Sequence, residues 1–194
     1  MSLWYRGGKF VAVIGILGEF IKGAIPVFVG RFLEINLTAV AVAGVAVVCG
    51  QMWPVFHKFD GEKGNTTGVG MAVALDYRPF IAAAVCFAAG AGIRVFGRIV
   101  RKRRSGNHIP VLGGPFSMSM PLGMLAGFLV LPLASWLMGE PLEISWAFSV
   151  LFVLIVIRRL TAGITRDRKT GAGIKQIFIG RLFLDRSVTQ FRAE

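Results

Sequence analysis

Leu37-Thr-Ala-Val-Ala-Val-Ala-Gly-Val-Ala-Val-Val-Cys-Gly-Gln-Met-Trp-Pro-Val-Phe56 runs for twenty residues without an aspartate, glutamate, lysine or arginine. A helix crossing the hydrocarbon core of a bilayer needs about 20 mainly apolar residues, so this stretch has the length and composition of a span. A polar, glycine-containing loop follows it, His57 to Gly68. Upstream lies a second apolar stretch, Phe10 to Leu33, interrupted by Glu19, Lys22 and Pro26. Downstream, Val69 to Ile99 is too long for one span and is broken at Asp76-Tyr77-Arg78-Pro79. It reads as a short helix, a tight turn and a longer helix ending near Arg98. Leu112 to Met138 and Ile144 to Ile157 supply the remaining segments, the last of full length only if its start near Leu142 also enters the membrane. The fold expected is all-α: a polytopic transmembrane helix bundle of about six spans, one of them a short helix.

Composition agrees. The chain is 55% hydrophobic and 16% charged, with a mean hydropathy of +0.67, against about 25% charged in ordinary soluble domains. The net charge of +12 does not read as a nucleic-acid surface, because the cations collect at the ends of apolar segments. Arg94, Arg98, Arg101, Lys102, Arg103 and Arg104 form one such group. Arg158, Arg159, Arg166, Arg168 and Lys169 form another. Cytoplasmic loops of membrane proteins carry this excess. With both termini in the cytoplasm, the turns at Arg31–Asn36, Asp76–Arg78 and Gly139–Glu143 become external and hold few cations. The loop His57–Gly68, the segment Arg98–Pro110 and the tail become internal. Residues 1–157 are expected to form the membrane domain, and residues 158–194 a basic cytoplasmic tail in which Ile174 to Leu184 has the pattern of a short amphipathic surface helix.

The polar loop carries the strongest chemical signal. In Gly61-Glu62-Lys63-Gly64-Asn65-Thr66-Thr67, glycines beside a lysine let backbone N–H groups approach an anion while the ammonium supplies a point charge. Thr66 and Thr67 stand where a helix would begin, a place suited to phosphate; the alternative is a solvated turn with a threonine cap. The eight-residue spacing of a P-loop is absent. Glu19 and Lys22 share one helix face, either lining a polar cavity or pairing structurally between helices. Ser117 and Ser119 could donate to a substrate or bond their own helix backbone. Cys49 and Cys86 lie in apolar stretches, and His57 and His108 lack carboxylate partners at helical spacing, so no metal site is expected. Trp53, Trp136 and Trp146, near span ends, read as interface anchors.

Two of these segments together resemble a known family. Glu19-Phe-Ile-Lys22-Gly23-Ala-Ile-Pro26, followed by Gly50-x-x-x-Pro54-Val-Phe56-x-x-Phe59-x-Gly61-x-Lys63-Gly64-x-x-Thr67, is similar to the bacterial acyl-phosphate:glycerol-3-phosphate acyltransferase (PlsY) family. The resemblance implies an integral enzyme of the bacterial plasma membrane with its motifs facing the cytoplasm. It would move an acyl chain from acyl phosphate to the 1-hydroxyl of glycerol 3-phosphate and make lysophosphatidic acid for phospholipid biosynthesis, with no cofactor. Its partners would be those two substrates and membrane lipid. On this reading the substrate- and phosphate-binding residues are Gln51, Gly61, Lys63, Gly64, Thr66, Thr67 and Lys22, with Ser117 and Ser119 echoing a later motif; no catalytic base is identified.

The departures from the family pattern bear on chemistry. Members of the family typically carry an additional first span and a Ser-Gly-Asn-x-Gly-Ala-Thr-Asn motif ahead of the first helix seen here, and this sequence contains neither. Gln51 replaces a histidine, and Asp60-Gly61-Glu62-Lys63-Gly64 replaces Lys-Gly-Gly-Lys-Gly, removing a cation and adding two anions. Two phosphorylated substrates need a positive field, so cations from Arg101 to Arg104 or from the tail are expected to lean in. The competing readings are a non-catalytic or truncated paralogue acting as a lipid-binding membrane subunit, and a small transporter using Glu19 and Lys22 as its pathway.

Overall fold

The structure, a computed structural model, describes residues 8–57, 59, 61–105 and 119–161. The described residues form helices and no strand: α1 Gly8–Phe32, α2 Leu37–Met52, a 3-10 turn Val55–His57, α3 Asn65–Leu75, α4 Tyr77–Ser105, α5 Ser119–Leu137 and α6 Leu142–Thr161. Ser117, His108 and the tail beyond Thr161, including 174–184, lie outside the described residues. Two helices, Phe10–Phe32 and Leu142–Thr161, are long and apolar enough to cross a bilayer outright; Leu37–Met52, Tyr77–Ile93 and Pro121–Leu137 are shorter apolar helices.

Four boundaries differ from the sequence reading, the first being α2, which stops at Met52 and not at Phe56 because Pro54 cannot continue the helix. α4 runs on past Arg98 to Ser105, because lysine and arginine are good helix formers and favour the negative end of the helix dipole. α6 begins at Leu142 and continues through Arg158 and Arg159 to Thr161, so it spans twenty residues and the boundary at 157 falls inside it. The polar loop ends at Gly64, with Thr66, Thr67 and Gly68 in the first turns of α3.

Local chemistry explains the turns. α1 ends in a left-handed residue, Glu34 (φ 54), with Ile35 N–H donating to Gly30 O and Glu34 N–H to Arg31 O, the Schellman pattern. α5 ends the same way on Gly139 (φ 72), with Glu140 N–H reaching Ser135 O. Asn36 caps α2 by accepting from Thr38 N–H at 2.8 Å. Asp76 alone separates α3 from α4, and its carboxylate accepts from Arg78 N–H at 2.8 Å. Glutamate in the left-handed region costs roughly 1 kcal/mol that glycine avoids, while losing an asparagine cap costs about 1 kcal/mol. Glu34→Gly is therefore expected to raise the unfolding midpoint in detergent and Asn36→Ala to lower it, both read by a thermal melt.

The core surrounds α3. Val27 from α1, Val48 and Met52 from α2, Met71 and Leu75 from α3, Phe128 from α5 and Phe148, Leu151 and Ile155 from α6 are all fully buried. Close approach depends on glycines: a Cβ on Gly23 would lie 2.0 Å from Thr67 O, and one on Gly70 would lie 2.0 Å from Phe20 O. α1 and α3 thus cross backbone to backbone, the small-residue packing by which helices associate in lipid. Ser135 and Ser145 hydroxyls join α5 to α6 at 2.8 Å. The outer surface is apolar, with Phe10, Phe28, Phe32, Ile81, Val85, Leu133, Leu137 and Val153 exposed; a soluble monomer does not present so extensive an apolar skin.

The bundle has two chemically distinct ends. Arg31, Glu34, Asp76, Arg78 and Glu140 line a pocket of about 620 Å³ at one end. There Arg31 donates to Leu75 O at the C-terminus of α3 and Arg78 meets Glu140 at 3.4 Å. The three turns expected on one side of the membrane therefore meet in space. The glycine loop lies at the opposite end.

Candidate active site

α2 ends early. At 16 residues it is about 24 Å long at 1.5 Å per residue, and the 11 residues of α3 make only about 16 Å. α1, with 25 residues, and α4, with 29, reach further. The loop from Trp53 to Gly64 is consequently recessed between longer neighbours. Pro54 stops α2, whose last turn closes with Trp53 N–H to Cys49 O at 2.9 Å.

The loop folds back on its own entrance. Phe59 N–H donates to Pro54 O at 3.1 Å, and Glu62 N–H donates to Gln51 O at 3.2 Å. Gly61 is pressed under that turn: a Cβ there would sit 2.3 Å from Pro54 Cδ and 2.4 Å from Gln51 O. Gly64 adopts φ 69 as the N-cap of α3, with no side chain to cap the helix. The first intrahelical bond is Gly68 N–H to Gly64 O at 2.8 Å. The N–H groups of Asn65, Thr66 and Thr67 precede it and have no acceptor within their own helix. In the same turn Thr67, fully buried, has a hydroxyl that no protein group among the described residues satisfies, as does the Asn65 side-chain oxygen. Half-buried Lys63 stands immediately before this turn.

Glu19 reaches the site from α1 because the Gly23 and Gly70 contacts bring that helix against α3. Its carboxyl meets the side chains of Glu62 and Thr66, with Lys22 close enough to act on it electrostatically. Glu19 and Lys22 thus belong to the same constellation as the glycine loop, and Lys22 is exposed.

The sequence reading missed two buried arginines, one of which supports the loop. Arg158 and Arg159, expected in a surface tail, are 4% and 2% exposed. Arg158 Nε donates to Glu62 O at 3.2 Å, its terminal nitrogen donates to Gly61 O, and its guanidinium carbon lies 5.9 Å from the centre of the Trp53 ring. Arg159 donates to Pro121 O in α5 at 2.9 Å. A pair of arginines after an apolar run looks like a topogenic signal, so nothing local distinguishes them. Arg158 thus lies in α6 and not in a surface tail, and it binds the loop through two backbone carbonyls. The side chains of Arg101 to Arg104 and of Ser119, and all of Lys58, Asp60 and Ser117, lie outside the described residues.

A recessed glycine loop leading into an uncapped half-length helix, with a lysine at the junction, is suited to a phosphate monoester. The family profile described as glycerol-3-phosphate acyltransferase matches residues 1–169. The chain belongs to the glycerol-3-phosphate acyltransferase family. A glycerol-3-phosphate acyltransferase of Endomicrobium trichonymphae is 31% identical over 160 residues, covering 82% of this chain and 68% of that protein. One from Pseudomonas putida is 33% identical over 151 residues, 78% of this chain and 67% of that protein. Among solved structures, PlsY, an integral membrane glycerol 3-phosphate acyltransferase in its lysophosphatidic acid form, superposes with a TM-score of 0.60 at 22% identity. That match covers 92% of this chain and 81% of PlsY. The overall fold is therefore shared with that protein.

Proposed function

We propose that this chain is a membrane acyltransferase of phospholipid biosynthesis. It transfers an acyl group from acyl phosphate to the 1-hydroxyl of glycerol 3-phosphate and releases lysophosphatidic acid and phosphate. The observation that carries the reading is the first turn of α3, where uncapped backbone donors and a buried threonine hydroxyl follow directly on Lys63 within a membrane bundle. Family membership supplies the reaction class. Gln51, Gly61 and Gly64 shape the loop, Lys63, Thr66 and Thr67 bind phosphate oxygens, and Lys22 holds a second anionic group at the mouth. Because acyl phosphate is already an activated donor, most of the rate enhancement comes from orienting the two substrates.

In this reading six helices cross the bilayer of a bacterial plasma membrane, α3 as the short one, with both termini and the glycine loop on the cytoplasmic side. The support is the charge pattern: the loop end is the one next to the basic ends of α4 and α6.

Two experiments test the proposal. Lysophosphatidic acid formed by the purified protein from hexadecanoyl phosphate and glycerol 3-phosphate is expected to fall by roughly tenfold to a hundredfold in Lys63→Ala, the worth of a charge-assisted hydrogen bond to phosphate. Lys63→Ala turning over at the wild-type rate would remove the lysine from the site. For orientation, Lys63→Cys in a background with Cys49 and Cys86 replaced by alanine is expected to resist a membrane-impermeant thiol reagent in intact cells and to react after permeabilisation. Labelling before permeabilisation would invert the topology.

A further inference from the structure

One buried acceptor in the first turn of α3 has no use in binding phosphate. The uncapped N–H groups of Asn65, Thr66 and Thr67 present hydrogens, as do the Lys63 ammonium and the Thr67 hydroxyl. Asn65 Oδ1 differs, because an amide oxygen only accepts. It is buried, and no group among the described residues donates to it. An asparagine at a helix start commonly turns its oxygen onto its own backbone. Here the N-cap is Gly64, so Asn65 stands one residue inside the helix, past the capping position. The packing behind the cap brings no donor either: a Cβ on Gly64 would meet Met52 Cε at 2.6 Å and Val48 Cγ1 at 3.3 Å. The carboxyl of Glu19, the acceptor that comes in from α1, already meets Glu62 and Thr66.

A buried acceptor without a donor destabilises the fold, and nearly all buried polar groups in folded proteins are paired. A ligand that brings the missing hydrogen offsets the penalty. The phosphate of a monoester does not bring it, since above its second pKa of about 6 it offers acceptors alone. A hydroxyl does. The reacting hydroxyl must lose its proton during acyl transfer, and an amide oxygen cannot take it up. The fitting donor is therefore a hydroxyl that keeps its hydrogen throughout. We infer that Asn65 Oδ1 accepts a hydrogen bond from the 2-hydroxyl of glycerol 3-phosphate, selecting that alcohol and leaving its 1-hydroxyl free for acylation. The inference rests on the acyltransferase reading and adds the residue that reads the middle carbon. Held at its phosphate and at its 2-hydroxyl, the substrate cannot turn about its own length, and the 1-hydroxyl is the end left to react. Position 65 is unspecified in the family pattern, so the contact belongs to this chain's own asparagine.

The test compares glycerol 3-phosphate with 3-hydroxypropyl phosphate, which keeps the phosphate and the reacting hydroxyl but lacks the 2-hydroxyl. Wild-type protein is expected to favour glycerol 3-phosphate in kcat/KM by roughly tenfold to a hundredfold, because the analogue leaves the buried oxygen unpaired. Asn65→Leu has similar volume and no oxygen, and is expected to bring that ratio within about threefold of one. Asn65→Asp keeps acceptor oxygens and is expected to keep the preference, while its charge raises KM for both alcohols by opposing their phosphate. Without ligand, Asn65→Leu is expected to melt at a higher temperature than wild type, since it deletes an unsatisfied acceptor. A ratio unchanged in Asn65→Leu, together with a lower melting temperature, would mean that water or the protein itself satisfies the oxygen. That result would overturn the inference.

A second measurement needs neither turnover nor a variant. Glycerol 3-phosphate is expected to raise the melting temperature of the wild-type protein in detergent more than 3-hydroxypropyl phosphate at the same concentration. Inorganic phosphate, which offers no hydroxyl on carbon, is expected to match the analogue and not the natural alcohol. Equal shifts from all three would sink the 2-hydroxyl contact. The two readings fail separately. Protein that forms no lysophosphatidic acid, yet binds glycerol 3-phosphate above the analogue through Asn65, would reject the catalytic reading and leave the contact standing. Lysophosphatidic acid formed with equal kcat/KM for both alcohols would do the reverse.

Discussion

Arg158→Ala is expected to reduce lysophosphatidic acid formation at least a hundredfold and to destabilise the protein by about 3 kcal/mol. The guanidinium is almost wholly buried and donates to two successive loop carbonyls, Glu62 O and Gly61 O. Hydrogen bonds from a charged donor contribute about 1.5–3 kcal/mol each, and truncation leaves both carbonyls without that donor. The catalytic effect exceeds the stability effect because those carbonyls belong to the loop that positions Lys63 and the first turn of α3. Misplacement of a substrate-orienting group by about 1 Å costs on the order of a hundredfold in rate. Arg158→Lys separates charge from geometry: lysine retains the cation but not the planar fork, so it is expected to recover stability more fully than activity. Trp53→Ala removes the ring face against the guanidinium, worth about 0.5–2 kcal/mol, and the ring's packing on the core, but it leaves both loop hydrogen bonds in place and is expected to impair turnover less than Arg158→Ala. Thermal melts in detergent, alongside kcat/KM for glycerol 3-phosphate, read both effects. Wild-type turnover by Arg158→Ala would show that the latch plays no part in catalysis.

The second large effect is steric. Alanine at Gly23 or Gly70 would place a Cβ 2.0 Å from a backbone carbonyl oxygen, of Thr67 and Phe20 respectively. Neither obstacle is the end of a flexible side chain, so α1 and α3 must separate by about 1 Å or more to reach ordinary contact. Overpacking of this kind costs about 1–3 kcal/mol. Here it also moves Glu19 and Lys22 away from the loop and tilts the N-terminus of α3. Each variant is expected to lose about a hundredfold in activity and to melt at lower temperature. Gly18→Ala and Gly50→Ala serve as controls. A Cβ at either position meets nothing within 4 Å, and alanine's better helix propensity makes them neutral to slightly stabilising. Gly23→Ala and Gly70→Ala combined should cost less than their sum, because the first substitution has already parted the shared interface. Strict additivity would mean that the two glycines act at separate places.

Hydropathy located the apolar segments because a span must satisfy its backbone internally and cover itself with apolar side chains, a requirement written into consecutive residues. Asp76 and Pro79 marked the break between α3 and α4 for an equally local reason: one caps and the other is tolerated only in a first turn. The ends of α4 and α6 were less legible, since a helix leaving the membrane carries on through arginines and lysines without any change in its backbone chemistry. Glu19, Lys22 and the glycine loop were each visible as unusual residues. Their meeting was not, because it depends on Gly23 and Gly70 letting two backbones cross.

The chain's order of residues by itself determined an all-helical membrane bundle, most of its segment boundaries to within a few residues, and the glycine-containing loop around Lys63. Those properties follow from short-range rules of burial, capping and backbone freedom. Only the tertiary structure decided that Arg158 lies beneath the loop. Its acceptors are 96 and 97 positions away in sequence, and burying a guanidinium is tolerable only where folded carbonyls are already waiting to receive its hydrogens.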